Sequence, residues 1–386
     1  MPPLILDVNA YPADTLGQFM DDISMKTNET ERNFMNSNPS VLHVEASEGA
    51  GALDAIDASN GATSFIHVQH REGSSERVNL TQVARHNPDR RDLLVGLAAR
   101  GFYGYVTDDY ITRYVHERRL NALWNPLKSG EYSMSAEGVV YSYTAPTVDL
   151  GNTKLLVIFS AMNAPIYSSS LMRYFAQNFS TAQKYITPET AILRISDVGG
   201  VVGNFYMNTS YHLNNVENIQ KLIKKISISK NIMSLNIVLY GTSKGGTAAL
   251  YHGLIGDYKS ISVDPVVSDH HYVELWSDSH FTVNSIFIET KESLFRRTVS
   301  EYLENCKNIE PEVRNVVICS KRSPQYKYIE QILIDPLISR LSFFNVDHPG
   351  ILDHPDVGPK SLPITTMIIN SLLYGIDIKS GLTTVV

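Results

Sequence analysis

Cysteine is scarce. The 386 residues hold two, Cys306 and Cys319, too few for a disulfide framework, and Cys319 in the apolar run "NVVICS" reads as a buried thiol. Long hydrophobic runs are missing too, and none approaches the roughly 20 apolar residues that span a bilayer. There is no basic excess: 33 Lys and Arg stand against 40 Asp and Glu, a net charge of −7, which argues against nucleic acid as a partner. The first residues, "MPPLILDVNAYPADT", have no basic region and too short an apolar core for a secretory leader. The expectation is a cytoplasmic protein, with peripheral attachment to a membrane left open. At 43% hydrophobic and 19% charged residues, the chain has the composition of a globular protein long enough for two domains.

Sustained periodicity is absent from residues 1–60, where "VEASEGAGALDAIDASNGATS" is polar and small, so this stretch is expected to be loosely structured. Residues 61–130 alternate strand-like runs ("SFIHVQ", "GFYGYV") with helix-like ones ("RRDLLVGLAAR", "DDYITRYVHERRLNALW"), which predicts a small α/β or α+β accessory domain. Its basic clusters, "HNPDRRD" and "HERR", read as solvated helix ends. From residue 131 to 386 the pattern turns regular. "YSMSAEGVVYSYTAP" alternates as a hairpin does. Apolar runs at 154–161, 191–197, 236–241, 260–265, 315–320 and 341–347 read as strands buried on both faces. Helical segments at 215–230, 246–254, 291–306, 326–338 and 362–375 separate them. Strand alternating with helix predicts a mostly parallel sheet with helices on both faces, and a site at the carboxyl ends of the strands.

One such end carries "LNIVLYGTSKGGTAALYHG". A phosphate-binding loop is excluded, because Lys244 precedes Gly245 and Gly246 instead of following a Gly-x4-Gly. What remains is Gly241-Thr242-Ser243-Lys244-Gly245, the Gly-x-Ser-x-Gly turn that lifts a serine hydroxyl above a sheet. A serine needs a base, and the base an acid. "FFNVDHPGILDHPDVGPK" places His348 directly after the last core strand, and this segment resembles the stretch around the histidine of α/β-hydrolases. In that frame His348 is the expected base and His354 has no assigned role. The usual place for the acid, after "NVVICS", holds Ser320, Lys321, Arg322 and Ser323 but no carboxylate. "SISVDPVVSD" offers Asp264 one strand earlier, as pancreatic-type lipases do, with Asp269 as second choice. An oxyanion needs two N–H donors: the backbone of Lys244, and Ala161 or Met162 in "FSAMNAP".

"ILRISDVGGVVGNFY" resembles the Asp-x-x-Gly-x-Gly loop of α/β-hydrolases, which implies that Asp197, Gly199 and Gly200 shape the pocket floor. "SDHHYVELWSDSHFT" lies where that fold inserts a lid. Its Asp269 and His271 are expected to meet substrate, as part of a polar, aromatic wall suited to a sugar or phosphosugar. A metal site at Asp269, His270 and His271 lacks helical His spacing or a second cluster, and no bound cofactor is expected. Residues from about 147 onward thus resemble an α/β-hydrolase. More narrowly, "LRISDVGGVVGNFYMNT", "VLYGTSKGGTAALYHGL" and "SISVDPVVSD" resemble the XcbB/CpsF family of bacterial capsular polysaccharide biosynthesis proteins. That resemblance implies a bacterial protein working beside capsule polymerase or export proteins at the inner membrane. The implied activity is a serine acyltransferase that O-acetylates a glycan or its nucleotide-sugar or phosphosugar precursor, with acetyl-CoA as donor. A carbohydrate esterase or thioesterase on the same residues, a phosphosugar transferase and a non-catalytic scaffold remain as alternatives.

Overall fold

The computed structural model describes residues 40–59, 61–71, 78–163, 167–278, 280–283, 285–310 and 312–386. It contains two sheets. The smaller has four strands in the order β1-β2-β4-β3: β1 (Ser40–Glu45), β2 (Thr63–Gln69), β3 (Phe102–Asp108) and β4 (Ile111–His116). Much of the segment expected to be loose lies outside the described residues. Of the rest, Ser40–Glu45 pairs with β2, and Gly51–Ala58 forms helix α1 with Ala52 and Ile56 buried.

"DDYITRYVHERRLNALW" departs from its expected helix. Asp109 takes a positive φ of 51° and turns the chain, so that β4 folds back antiparallel on β3. Ile111, Thr112 and Val115 are β-branched and suit the pleated surface better than a helix. Helical structure begins only at Glu117.

The larger sheet has nine strands in the order β13-β12-β11-β10-β9-β7-β8-β6-β5. These are β5 (Ser133–Met134), β6 (Val140–Thr144), β7 (Lys154–Phe159), β8 (Thr190–Ile195), β9 (Ile237–Thr242), β10 (Lys259–Val263), β11 (Asn315–Cys319), β12 (Ser342–Val346) and β13 (Gly381–Val385). From β8 to β13 every neighbouring pair is parallel, and β6 is antiparallel to β8. Alternate residues of one strand serve opposite faces. Leu155, Val157 and Phe159 of β7 pack with Ile219, Leu222 and Ile223 of helix α3 (Asn215–Ser229). Leu156 and Ile158 of the same strand pack with Ile368, Ile369 and Leu372 of helix α8 (Leu362–Tyr374). A mostly parallel sheet covered on both faces, with this strand order, is the α/β-hydrolase-like fold. Connections leave β7 and β9 in opposite directions, so the crevice at their carboxyl ends is the switch point where such sheets bind ligands.

The two sheets share their cores. Val201, Val202, Phe281 and Ile286, from loops of the larger unit, are buried with Ile66, Leu93 and Leu97 of the smaller. Helix α2 (Pro88–Ala98) sends Arg91 to Asp278, and the same guanidinium lies 4.7 Å from the Phe281 ring. Among the described residues, no helix is long and apolar enough to cross a membrane.

Helix α4 (Lys244–Gly256) rises directly from β9 and is buried along nearly its whole length. It approaches the sheet so closely that side chains are excluded at the turn. A Cβ at Gly241 would lie 2.1 Å from the Gly245 carbonyl oxygen, and one at Gly245 would lie 2.4 Å from that of Phe159. Both obstacles are backbone and cannot rotate away. Gly245→Ala is therefore expected to cost about 1–3 kcal/mol, the usual range for overpacking, measured by urea denaturation of the full chain.

Candidate active site

Between Gly241 and Gly245, Ser243 is held at φ 53°, ψ −120°, a region that side-chain-bearing residues enter only when their surroundings force them. Its N–H donates to Val263 O at 2.8 Å, and its carbonyl accepts from Thr247 N at 2.9 Å. The backbone is thereby pinned on both sides and the side chain projects into the crevice. Ser243 Oγ lies 2.7 Å from Nε2 of His354, and Nδ1 of His354 lies 2.7 Å from Oδ2 of Asp264. Serine, imidazole and carboxylate thus form one continuous relay.

The histidine differs from the one expected. His348 follows β12 by two residues, but its Nδ1 accepts the N–H of Gly350 at 2.9 Å, which folds its ring into its own turn. It does not line the cavity that holds Ser243. Residues 347–353 connect β12 to helix α7 (His354–Lys360). Asp353 caps it: Oδ1 accepts His354 N at 2.7 Å, while Asp356 Oδ2 accepts Asp353 N at 3.1 Å. His354 is the first residue of this capped helix, so its ring position is fixed by the cap. The signal was present in the sequence as Asp-His-Pro-Asp, an N-cap followed three residues later by a carboxylate, with proline in the first turn.

Asp264 follows β10 at φ 45°, and its side chain is 2% exposed. Oδ2 also accepts Ser323 Oγ–H at 2.5 Å. The segment after β11 that lacks a carboxylate therefore contributes a hydroxyl to the carboxylate one strand away. Thr247 fixes the acid's loop to helix α4, accepting Val266 N at 2.9 Å and donating to Val266 O at 3.0 Å. Ser323 and Thr247 escape a sequence reading, because hydroxyls at loop starts and helix faces are common.

Lys244 and Asp197 form a second polar unit beneath the turn. Their side chains are fully buried, with Nζ 2.7 Å from Oδ2. The contact is coulombic rather than directed, since Nζ has no partner in hydrogen-bond geometry. Asp197 also accepts Phe205 N at 3.1 Å and Tyr206 N at 3.0 Å. Both donors have positive φ, so the carboxylate holds a strained loop. Gly203 makes room for the pair, since a Cβ there would lie 2.3 Å from Asp197 Oδ2 and 2.6 Å from Lys244 Nζ. Asp197 thus lies under the turn and does not line the cavity expected of it. Gly199 does not line it either; a Cβ there would meet the Asn204 side chain at 2.6 Å.

The cavity over the relay has a volume of about 500 Å³. Ala161, Met162 and Asn163 line it beyond β7; Tyr167 and Arg85 line one wall. His271, Tyr272, Trp276 and His280 form another, from helix α5 (His270–Trp276) and the turn after it. Burial holds the ionised form of Tyr272 out of reach and drives the His280 pKa well below the usual imidazole value, with nearby Lys291 acting in the same direction. His280 is therefore a neutral ring at pH 7. Asp269 points elsewhere and pairs at 2.6 Å with Lys291, the first residue of helix α6 (Lys291–Asn305). His270 pairs with Glu274 at 2.8 Å. Asp269, His270 and His271 thus have three separate destinations.

No family model and no curated protein matches the chain. Solved structures are similar at low identity. The fluorophosphonate-binding serine hydrolase FphF of Staphylococcus aureus is 14% identical, with a TM-score of 0.44 over 63% of this chain and 96% of that one. The capsule O-acetyltransferase of Neisseria meningitidis serogroup A is 14% identical, with a TM-score of 0.42 over 61% and 91%. An S-formylglutathione hydrolase from Agrobacterium tumefaciens is 11% identical, with a TM-score of 0.42 over 65% and 94%.

Removing one member of a buried ion pair leaves the other uncompensated, which typically costs about 3–5 kcal/mol. Lys244→Ala should lower unfolding free energy by that order in urea titrations. Adding Asp197→Asn to it should recover part of the loss, because the orphaned charge is then gone.

Proposed function

We propose that this chain is a serine enzyme of acyl transfer, and that the relay from Ser243 through His354 to Asp264, with both contacts at 2.7 Å, is what carries it. Ser243 Oγ attacks the carbonyl carbon of an acyl donor while His354 Nε2 takes the hydroxyl proton. Asp264 holds the imidazole in one tautomer and stabilises its charge. The tetrahedral oxyanion is met by backbone N–H groups. Lys244 opens helix α4, so its N–H has no acceptor within the helix. The second donor is Ala161 or Met162, because the preceding Ser160 N–H is held by Tyr206 Oη at 2.6 Å. Collapse of the intermediate breaks the bond to the leaving group, which takes the proton from His354. An acceptor hydroxyl then attacks the acyl-serine, passes its own proton to His354, and Ser243 regains one as the ester forms.

The finer reading is O-acetylation of a capsular glycan or its precursor, with acetyl-CoA as donor. Its support is the wall of Tyr167, Tyr272 and Trp276 interleaved with Asn163, His271 and His280, since aromatic faces and short polar groups suit a sugar ring. The XcbB/CpsF-like stretches around Asp197, Ser243 and Asp264 agree with it. Hydrolysis is the second reading, because the same relay accepts water in place of the sugar hydroxyl. The scaffold reading drew on the missing carboxylate after "NVVICS", and Asp264 supplies that group from the neighbouring strand.

Ser243→Ala and His354→Ala are each expected to reduce p-nitrophenyl acetate turnover about 10⁴-fold or more, and Asp264→Asn by a comparable factor. His348→Ala should stay within a few-fold of the native chain. A fluorophosphonate probe should label the native protein and not Ser243→Ala. An unreactive native chain would sink the proposal, and a glycan acceptor that diverts acetyl groups from water would decide for the transferase.

A further inference from the structure

One wall of the triad cavity comes from the smaller sheet unit and carries a cation with no carboxylate partner among the described residues. Arg85 ends the short helix Leu80–Ala84 and lines the cavity together with Ser243 and His354. Its guanidinium lies 4.2 Å from the ring centroid of Tyr167, which lines the same wall. The stack is built in. Asn79 caps the helix through Gln82 N at 3.1 Å, and its Nδ2 donates to Tyr167 O at 2.6 Å. Cation and ring are thereby tied to one local frame.

Several other described arginines have their charge or donors met: Arg91 by Asp278, Arg100 by Asp57, Arg173 and Arg194 by backbone carbonyls. Arg85 has no carboxylate within ion-pair reach among the described residues, and its Nε is buried without a hydrogen-bond partner. The two carboxylates on the cavity wall are engaged elsewhere, Asp264 by His354 and Ser323 and Asp353 by the cap of helix α7. A guanidinium stays charged at any physiological pH, and its planar fork matches an oxyanion bidentately. Leaving buried donors unmet is costly, so a ligand that supplies the acceptor is favoured.

We propose that Arg85 reads an anionic group, a carboxylate or phosphate, on the substrate whose acyl group passes through Ser243. This rests on the acyl-transfer reading and extends it. The substrate class becomes acidic or phosphorylated, and the smaller unit becomes part of the substrate site. The anion belongs either to the acceptor, as an acidic or phosphorylated sugar, or to the donor, as the phosphates of CoA.

The test is calorimetric titration of the full-length Ser243→Ala protein with glucose, glucuronate, glucose 1-phosphate, pantetheine and CoA. Binding of the anionic member of a pair about 10–100-fold tighter than its neutral counterpart is expected, the gain of a charge-assisted bidentate contact. Adding Arg85→Gln should erase that difference, and Arg85→Lys should restore part of it. Preference among the sugars places the anion on the acceptor, and preference for CoA over pantetheine places it on the donor. No anion preference in Ser243→Ala, or an equal preference after Arg85→Gln with thermal unfolding unchanged, would overturn the proposal. The titration needs no turnover, so failure of the serine chemistry shows separately, in the p-nitrophenyl acetate assay of the native chain.

Discussion

The close approach of helix α4 to the strands beneath it is the constraint on which the site depends. With Gly241 and Gly245 lacking side chains, the helix starts directly against β7 and β9, and the backbone at Ser243 is driven to positive φ. A serine in ordinary helical or extended geometry would lay its hydroxyl along the sheet. In this turn it stands above the sheet, where His354, at the start of helix α7, reaches it. The strain needs over-determination to persist, and hydrogen bonds to Val263 and Thr247 on either side provide it. Beneath, the buried Lys244–Asp197 pair anchors the first residue of the helix. Such a pair is weak evidence for stability as such; its effect is positional, coupling the turn to the 197–206 loop.

The acid shows the same economy of placement. Asp264 sits one strand nearer the serine than the commonest arrangement would have it. Its Oδ2 accepts both His354 and Ser323, so the segments after β11 and β12 converge on one oxygen. Ser323 belongs to the loop that would otherwise carry the acid. The carboxylate stands one strand along from that loop, and a hydroxyl of the loop orients it. Imidazole position is set independently, by the cap that starts helix α7.

What could be read from the sequence follows from how local each determinant is. The six core strands of the larger sheet announce themselves as short apolar runs, and the Ser243 turn as glycines around a serine, because both are set by residues adjacent in the chain. Asp264 was accessible through its place after β10. The histidine was not. Choosing between His348 and His354 depends on how the 347–353 segment bends, and only the Asp353–Asp356 cap, a local feature, hinted that the ring-bearing helix begins at 354. The strand Ile111–His116 reads as helix in the sequence because its apolar spacing fits both periods, and the turn at Asp109 makes it a strand. Lys244–Asp197 and Asp264–Ser323 join residues 47 and 59 positions apart, and no sequence period encodes such pairs.

Relay and wall answer to different demands. Ser243, His354 and Asp264 are fixed by the larger sheet, and in the acyl transfer proposed for them their chemistry is indifferent to what the acyl group is attached to. Selectivity must come from the groups around them, which belong to other parts of the chain: Tyr167 beyond β7, the helix carrying His271 and Trp276, and Arg85 from the smaller unit. These parts are tied together away from the relay. Arg91 of the smaller unit holds Asp278 beside the α5 helix, and Asn79 holds Tyr167. The smaller sheet is therefore more than an appendage, because its core is continuous with Val201, Val202, Phe281 and Ile286 of the larger unit. A change in that wall leaves the strained turn undisturbed, which is the physical reason a fixed relay and a variable pocket can be altered separately.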